Sequence, residues 1–488
     1  MERAKVQVLD ASPDPGKGPS WETATLPEPP AFTPRNFLSM VGPGAILLAA
    51  AIGGGEWLMG PTAAIQYGTS IFGIATLAII LQIFFNLEAT RYTLYTGEPI
   101  YGGIMRLSPG PTFWGPFYCV LALVNLGWSA LAASCAATLF SVFRGRIPAD
   151  GDELAMYWLA ILTVVVASSI LAFGTTVERT LERASKIMVV FIFLFLFVAN
   201  VIFVPWRHWL TTLVGFFQLN ALGQKVDWML LGALAASSGA GGISCLSISN
   251  LVRDKGFGMG ATVGAIPAAF GKQVISLSAT GKVFALSSES LSNWKRWLQF
   301  VHVDQVLLWG TGAFLGMYLN VNLAVFVIPA NSAVSGLAAG AYQAQYMASS
   351  LWSGFWFLAL LNGFWILFST QLANTDTVAR TITDIVWLQT HWKNRSRALN
   401  IRFLYFGILA LYTVWGIIAV GLVPPLTLFK IMANLGAPVM ILGGIHLLLV
   451  NRRFLPPALR PSLFRQFMIL LCVLFYGFFF VCLIVPLF

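Results

Sequence analysis

Continuous apolar stretches separated by short polar connections run the length of the chain. Eleven of them, at 41–67, 71–92, 114–140, 154–173, 187–205, 228–252, 303–328, 347–368, 401–423, 426–450 and 467–488, are long enough to cross roughly 30 Å of hydrocarbon as helices. Barrel strands run about ten residues and alternate in polarity, which these runs do not. The pattern predicts an all-α polytopic membrane protein with eleven transmembrane helices.

The polar segments set the remaining organisation. Residues 1–36 carry Pro13, Pro15, Pro19, Pro27, Pro29, Pro30 and Pro34 among mixed charges, without the apolar core of a signal peptide. They read as a disordered cytoplasmic tail. In 253–302, the alternating runs Val274-Ile275-Ser276-Leu277-Ser278 and Lys282-Val283-Phe284-Ala285-Leu286 flank Ala279-Thr280-Gly281, the pattern of a β-hairpin. Leu291, Trp294, Trp297, Leu298 and Val301 follow at helical spacing, as in a helix lying on the membrane surface. A loop of this length points to gating, regulation or a packing insertion. The connection 371–400, with Asp376, Arg380 and Asp384, is expected in part to prolong the eighth helix. The chain thus divides into the tail, helices one to six over 37–252, the loop 253–302, helices seven to ten over 303–451 and the last helix over 452–488.

Composition agrees with the pattern. The 488 residues are 57% hydrophobic and 10% charged, with mean hydropathy +0.77, against about 25% charged in soluble domains. The net charge of +10 calls for no nucleic-acid partner, because its placement explains it. With the N-terminus inside, the outer side holds only Arg144, Arg146, Arg207 and Lys225 of the 29 Lys and Arg, and Lys430 sits within the tenth run. Positive loops stay cytoplasmic, so the expected topology is N-in and C-out in a plasma or inner membrane, with attraction to anionic lipid. Cys119, Cys135, Cys245, Cys472 and Cys482 lie in apolar runs without CxxC or Cys/His spacing and read as packing residues.

The candidate chemistry sits in the first and sixth runs. Gly53-Gly54-Gly55 falls in mid-membrane, where each glycine costs a helix about 1 kcal/mol relative to alanine. Ser237-Ser238-Gly239-Ala240-Gly241-Gly242 repeats the device in the sixth run. Breaks five helices apart fit an inverted repeat, with substrate bound where the broken helices meet. The alternative is close helix crossing through small residues. Glu56 directly follows the first break, and a carboxylate there can bind a cation, accept a proton, hold an amine or cap the second half-helix. Asn125, Asn434, Ser237, Ser238 and Ser244 could line the same cavity or serve as interhelical hydrogen bonds. Glu88 and Arg91 read as an interfacial ion pair, and Lys430 as snorkelling outward rather than reaching Glu56. No Walker loop, zincin motif or nucleophile elbow is present, so no enzyme activity is expected.

Gly42-Pro43-Gly44, its spacing to the first break, Gln66-Tyr67-Gly68, Asn125-Leu126-Gly127-Trp128 and Asn434-Leu435-Gly436-Ala437-Pro438 resemble the Nramp family of divalent-metal transporters. The resemblance runs over most of 37–450 and implies a LeuT-type fold of five plus five inverted helices with one extra C-terminal helix. It implies a divergent member. The family's Asp-Pro-Gly-Asn falls on Gly53, Gly54, Gly55 and Glu56, and its Met-Pro-His falls near Gly239-Ala240-Gly241. The acidic pair that the family uses for protons falls on Asn125 and Trp128.

Three readings follow. The first is a secondary transporter of a divalent metal cation, with Glu56 as the tentative metal ligand and Gly53, Gly54, Gly55, Ser237, Ser238, Gly239, Gly241, Asn125 and Asn434 completing the substrate site. An all-oxygen set suits a hard ion such as Mg²⁺. The second is a LeuT-type transporter of a small organic solute, with half-helix N-termini holding an anionic group. The third is a non-transporting membrane sensor. The first is preferred; apart from the transported cation, no cofactor is expected.

Overall fold

The structure, a computed structural model, describes residues 14–173, 176–219, 226–269, 277–329, 337–393, 400–421 and 425–485. Among the described residues nine helices are long and apolar enough to cross a membrane. They are α2 (Gly73–Thr96), α3 (Pro111–Leu126 and Ala130–Arg144), α4 (Glu153–Ala172), α5 (Val177–Phe203), α7 (Ser288–His302, Val303–Gly310 and Thr311–Val327), α8 (Gly354–Lys393), α9 (Ile401–Ala419), α10 (Pro425–Asn434 and Gly436–Phe454) and α11 (Leu463–Ile484). Two more segments are interrupted helices: α1 (Pro43–Ala51, Gly55–Met59 and Gly60–Tyr67) and α6 (Trp228–Ser237 and Ile243–Asp254). Each falls on one of the apolar runs.

Burial sorts these helices into layers. α1 is buried on all sides from Pro43 to Ile65. α4 buries only the stripe Ala160, Thr163, Val164, Ala167 and Leu171, while Leu162, Val165 and Val166 stay exposed. An apolar helix exposed on one face is what a lipid-facing position requires. α1 and α6 therefore form the centre of the bundle.

Two contacts carry the inverted symmetry. Thr370 of α8 donates to the carbonyls of Ala49 and Ile52, where the first half of α1 ends. Asn125 of α3 accepts from the amide of Ile243, where the second half of α6 begins. Exchanging counterparts five helices apart, α1 with α6 and α3 with α8, maps the helix pair α1–α8 onto α6–α3, as a five-helix inverted repeat requires.

The elements outside the apolar runs differ from the sequence reading. Residues 14–36 are an ordered strap, not a disordered tail. Proline carbonyls that cannot join a helix find donors on distant segments: Arg106 bonds Pro15 O and Pro19 O, Trp297 Nε1 bonds Pro27 O and Arg296 bonds Pro29 O. Trp21 is buried, with the Arg106 guanidinium 4.1 Å from its ring centroid. No hairpin forms over the described part of 253–302. β1 (Glu22–Thr23) pairs in parallel with β2 (Lys282–Val283), Glu22 opposite Lys282, so the second arm takes the strap as its partner. Val274, Ile275 and Ser276 of the first arm lie outside the described residues. The expected surface helix is instead the start of α7. Ser287 and Ser290 form its capping box, Trp294, Trp297 and Val301 face inward, and it continues through Val303–Gly310 into the membrane segment. α8 does extend through the following connection, to Lys393, whereas the start of its apolar run belongs to a separate helix, Leu337–Ser350.

The first part of the strap is held by Arg106, which belongs to a buried ion pair. Arg106 and Glu98 meet at 2.6 Å with side chains 0% and 1% exposed. Burial raises the Glu98 carboxyl, but Arg106, Tyr92 and the Gly281 amide overcome this and hold it below its ordinary 4.5. A depressed carboxyl stabilises the fold above its unfolded value, and that stability is lost as pH falls through the folded value. Arg106→Ala leaves Glu98 buried and unpaired, at a cost of about 3–5 kcal/mol. Thermal unfolding of the purified variant should show a clear loss of melting temperature; an unchanged value would mean that the pair does not hold the strap.

Candidate functional site

α1 leaves helical geometry at Ile52, whose ψ is 88°, and resumes as a π-helical turn over Gly55–Met59. Such turns collect at functional sites. Glu56 lies in this turn and is fully buried. Its Oε2 accepts the Gly53 amide at 2.9 Å, and its Oε1 reaches the Gly239 amide of α6 at 3.5 Å. The carboxylate is thus the cap of its own break and a link to the other one.

The glycine triplet has three neighbours. A Cβ at Gly53 would lie 2.2 Å from Thr370 Oγ1, at Gly54 2.3 Å from the Phe429 ring and at Gly55 2.3 Å from the Ser237 carbonyl. α8, α10 and α6 each press on the bare backbone. The broken helix and the close crossing, alternatives in the sequence, are therefore realised together.

The α6 break turns at Gly239 and Gly242, with φ of +99° and +73°, values that side-chain-bearing residues avoid. Gln82 of α2 spans it. Its Oε1 accepts the Ala240 amide at 3.0 Å, and its Nε2 donates to the Ser238 carbonyl at 2.9 Å and to the Tyr476 hydroxyl of α11 at 2.7 Å. Asn125 Oδ1 accepts the Ile243 amide at 3.0 Å and its Nδ2 donates to Met432 O at 3.2 Å. Side-chain oxygens thus meet the amides of Gly53, Ala240 and Ile243.

A cavity of about 50 Å³ lies between the breaks. Of the residues expected at the site, Gly54, Gly55, Asn125, Ser237, Gly239 and Gly241 line it, as does Ser244. Gly53, Ser238 and Glu56 stand behind this lining. Asn434 is elsewhere, donating to Met229 O and Lys430 O and so tying α10 to the first half of α6. Lys430 turns away from Glu56 to Asp227 at 3.1 Å. Glu88 and Arg91 pair at 2.8 Å. Thr370, Asn374 and Met432 also line the cavity; the first two lie at and beyond the end of the apolar run of α8, and nothing marks Met432 among ordinary apolar residues. Gln82 had a signal, a lone amide inside the apolar run of α2. Among the described residues no group of three or more His, Cys, Asp or Glu is placed to hold a metal. The lining donors are oxygens of Asn, Ser and Thr and the ends of two half-helices, Ala50-Ala51 and Ala236-Ser237, where carbonyls carry the negative end of the helix dipole.

No protein-family model matches the chain. It is 26% identical over 151 residues to an uncharacterized protein of Pasteurella multocida (strain Pm70), a match spanning 31% of this chain and about a third, 32%, of that relative. Among solved structures it is similar to a mutant manganese transporter of Eremococcus coleocola, with TM-score 0.66, 14% identity and coverage of 95% of this chain and 89% of that one. The same transporter in complex with an aromatic bis-isothiourea substituted compound gives TM-score 0.64, 13% identity, 95% and 89%. A nucleobase-cation-symport-1 family transporter, in a closed conformation with bromovinylhydantoin bound, gives 0.50, 12%, 92% and 91%. At such identities the likeness establishes the fold: a multi-pass helical membrane protein with the LeuT-type arrangement that the sequence resemblance implied.

Two substitutions probe how the breaks are held. Gln82→Leu strands the Ala240 amide and the Ser238 carbonyl and should cost about 2–6 kcal/mol, at ~1–3 for each unpaired group. Gly53→Ala forces its Cβ onto Thr370 and should cost about 1–3 kcal/mol. Both are read as falls in the melting temperature of the detergent-purified protein, and an unaffected Gln82→Leu would remove Gln82 from the break.

Proposed function

We propose that this chain is a secondary transporter that carries a divalent metal cation by alternating access, with the cargo bound between the breaks of α1 and α6. One observation carries the choice of a cation. The amides of Gly53, Ala240 and Ile243 are occupied by Glu56, Gln82 and Asn125, while Ala50, Ala51, Ala236 and Ser237 at the carbonyl ends line the cavity. Three spent amides, with the residues at two carbonyl ends in the lining, favour positive charge. An anionic solute would have to displace Glu56, Gln82 or Asn125 to use any of these three amides, which weakens the organic-solute reading.

Size and donor chemistry point the same way. A cavity of about 50 Å³ takes an ion with very few waters, since one water needs roughly 10–15 Å³ measured in this way. Asn125, Ser237, Thr370 and Asn374 supply hard oxygen donors, which makes Mg²⁺ the first ion to test. With a cation bound, ionisation of the Glu56 carboxyl behind the glycines would supply the compensating charge. The Nramp-like fold, with its manganese-transporting neighbour, supports a metal as cargo. We further propose eleven crossings with the N-terminus in the cytoplasm and the C-terminus outside, in the plasma or inner membrane, on the distribution of Lys and Arg.

Uptake into proteoliposomes tests the function. Wild-type protein should accumulate a divalent cation, and Glu56→Gln, which keeps the shape of the side chain but not its charge, should lose about tenfold or more of the rate, the effect of ~1.4 kcal/mol, while remaining monodisperse. Undiminished uptake by Glu56→Gln would remove the carboxylate from the mechanism. Absence of flux for every ion and solute would favour a sensor. For topology, impermeant reagents should reach a tag before residue 14 from the cytoplasmic side and a tag after residue 485 from the opposite side; labelling of both from one side would refute the odd number of crossings.

A further inference from the structure

A second group of buried charges lies away from the breaks, where α5, α6 and α7 meet the first turn of α1. Glu178 and Glu182 of α5 are buried. Lys255, just past α6, is 2.6 Å from Glu182 and 3.8 Å from Glu178, and Lys186 pairs with Glu182 at 2.5 Å. Asp304 of α7 lies directly against α1. A Cβ on Gly44 would come within 2.7 Å of Asp304 Oδ1, and one on Gly42 within 2.8 Å of Glu182 Oε2. Two of these carboxylate oxygens accept no close hydrogen bond among the described residues, although both residues are only 2% exposed: Glu178 Oε1 has only the Lys255 ammonium, at 3.8 Å, and Asp304 Oδ1 faces the backbone at the start of α1.

The charges around this point do not balance. Glu178, Glu182 and Asp304 face Lys186 and Lys255. α1 contributes only Gly42 and Gly44. α2 contributes the neutral Asn86, bonded to Gln305 of α7, which in turn donates to Asp304 Oδ2. Asp254 is engaged by Arg253 and Arg380, His302 turns to Arg465, and Arg179 and Arg183 are exposed. One negative charge is left over in a buried setting. A metal ion does not fit, because the Lys255 ammonium stands between the glutamates and no three metal-ligating side chains converge among the described residues. A single proton does fit.

We propose that Asp304 and Glu178 form a proton-binding site that controls the seating of α1; this rests on the transport reading, in which α1 must move for the cavity to open to the cytoplasm. Binding forms one O–H bond on a carboxylate oxygen that otherwise accepts no close hydrogen bond, and the proton comes from and returns to water. Two effects oppose each other. The dipole at the start of α1 favours the ionised form, whereas burial without a partner favours the neutral one, and burial is the larger effect. The proton is held while α1 is seated and leaves when α1 swings out and the carboxylate is hydrated. Unseating therefore becomes easier as pH rises.

Hydrogen–deuterium exchange of residues 43–51 in the full-length purified protein, without cargo, tests this. After division by the intrinsic exchange rate at each pH, opening should rise about tenfold per pH unit over the titration range, as release of one proton requires. Asp304→Asn should flatten this dependence, and Glu178→Gln should shift or flatten it. A wild-type profile independent of pH would overturn the proposal, as would both variants keeping the wild-type slope. A change in exchange when sodium replaces choline at fixed pH would also overturn it, in favour of a monovalent metal. Because no cargo is present, failure of the transport reading would appear separately, as absence of flux with this pH dependence intact.

Discussion

Breaking a helix inside hydrocarbon frees backbone amides that have no water to bond, and everything at the centre of this protein depends on how those amides are paired. Glu56 accepts from Gly53, Gln82 from Ala240 and Asn125 from Ile243. The three oxygens come from three helices, α1, α2 and α3, so the breaks are built by the surrounding bundle as well as by their own glycines. Tyr476 extends the network to α11 through Gln82, which gives the helix outside the five-plus-five repeat a part in supporting the site.

The pairing also sets the polarity of the cavity. With the amides of Gly53, Ala240 and Ile243 capped from behind, residues at carbonyl ends and neutral oxygens line the cavity, and the carboxyl of Glu56 sits one layer away. This differs from a site in which a carboxylate and a thioether coordinate a transition metal directly, because the positions at the two breaks are glycine, alanine and serine. The glycines are not merely absences. Thr370, Phe429 and Ser237 occupy the volume that side chains at Gly53, Gly54 and Gly55 would need, so the glycines and the tight closure of the cavity go together.

Much of this is legible in the sequence, for a physical reason: apolar runs, glycine clusters and a lone mid-membrane acid act locally. The eleven runs, both breaks and the burial of Glu56 depend on residues close together in the chain. Features that depend on distant partners are not legible. The strap reads as disordered because prolines forbid a helix, and nothing nearby shows that Arg106, Arg296 and Trp297 will bond its carbonyls. Lys282 and Val283 read as half of a hairpin because alternation reveals a strand but not its partner. Asn434 reads as a site residue because depth in the membrane does not reveal which way a side chain turns. Gln82 could have been found, since an amide in the middle of α2 needs partners in a bilayer.

The claim on which the rest turns is that the carbonyl ends of α1 and α6 bind a divalent cation, and thermal unfolding of the purified protein over a titration of Mg²⁺ tests it without a transport assay. A ligand that binds only the folded state raises the melting temperature with concentration. The predicted result is a saturable rise with Mg²⁺ that is lost in Glu56→Gln. Stabilisation by a small organic solute and by no divalent cation would contradict it.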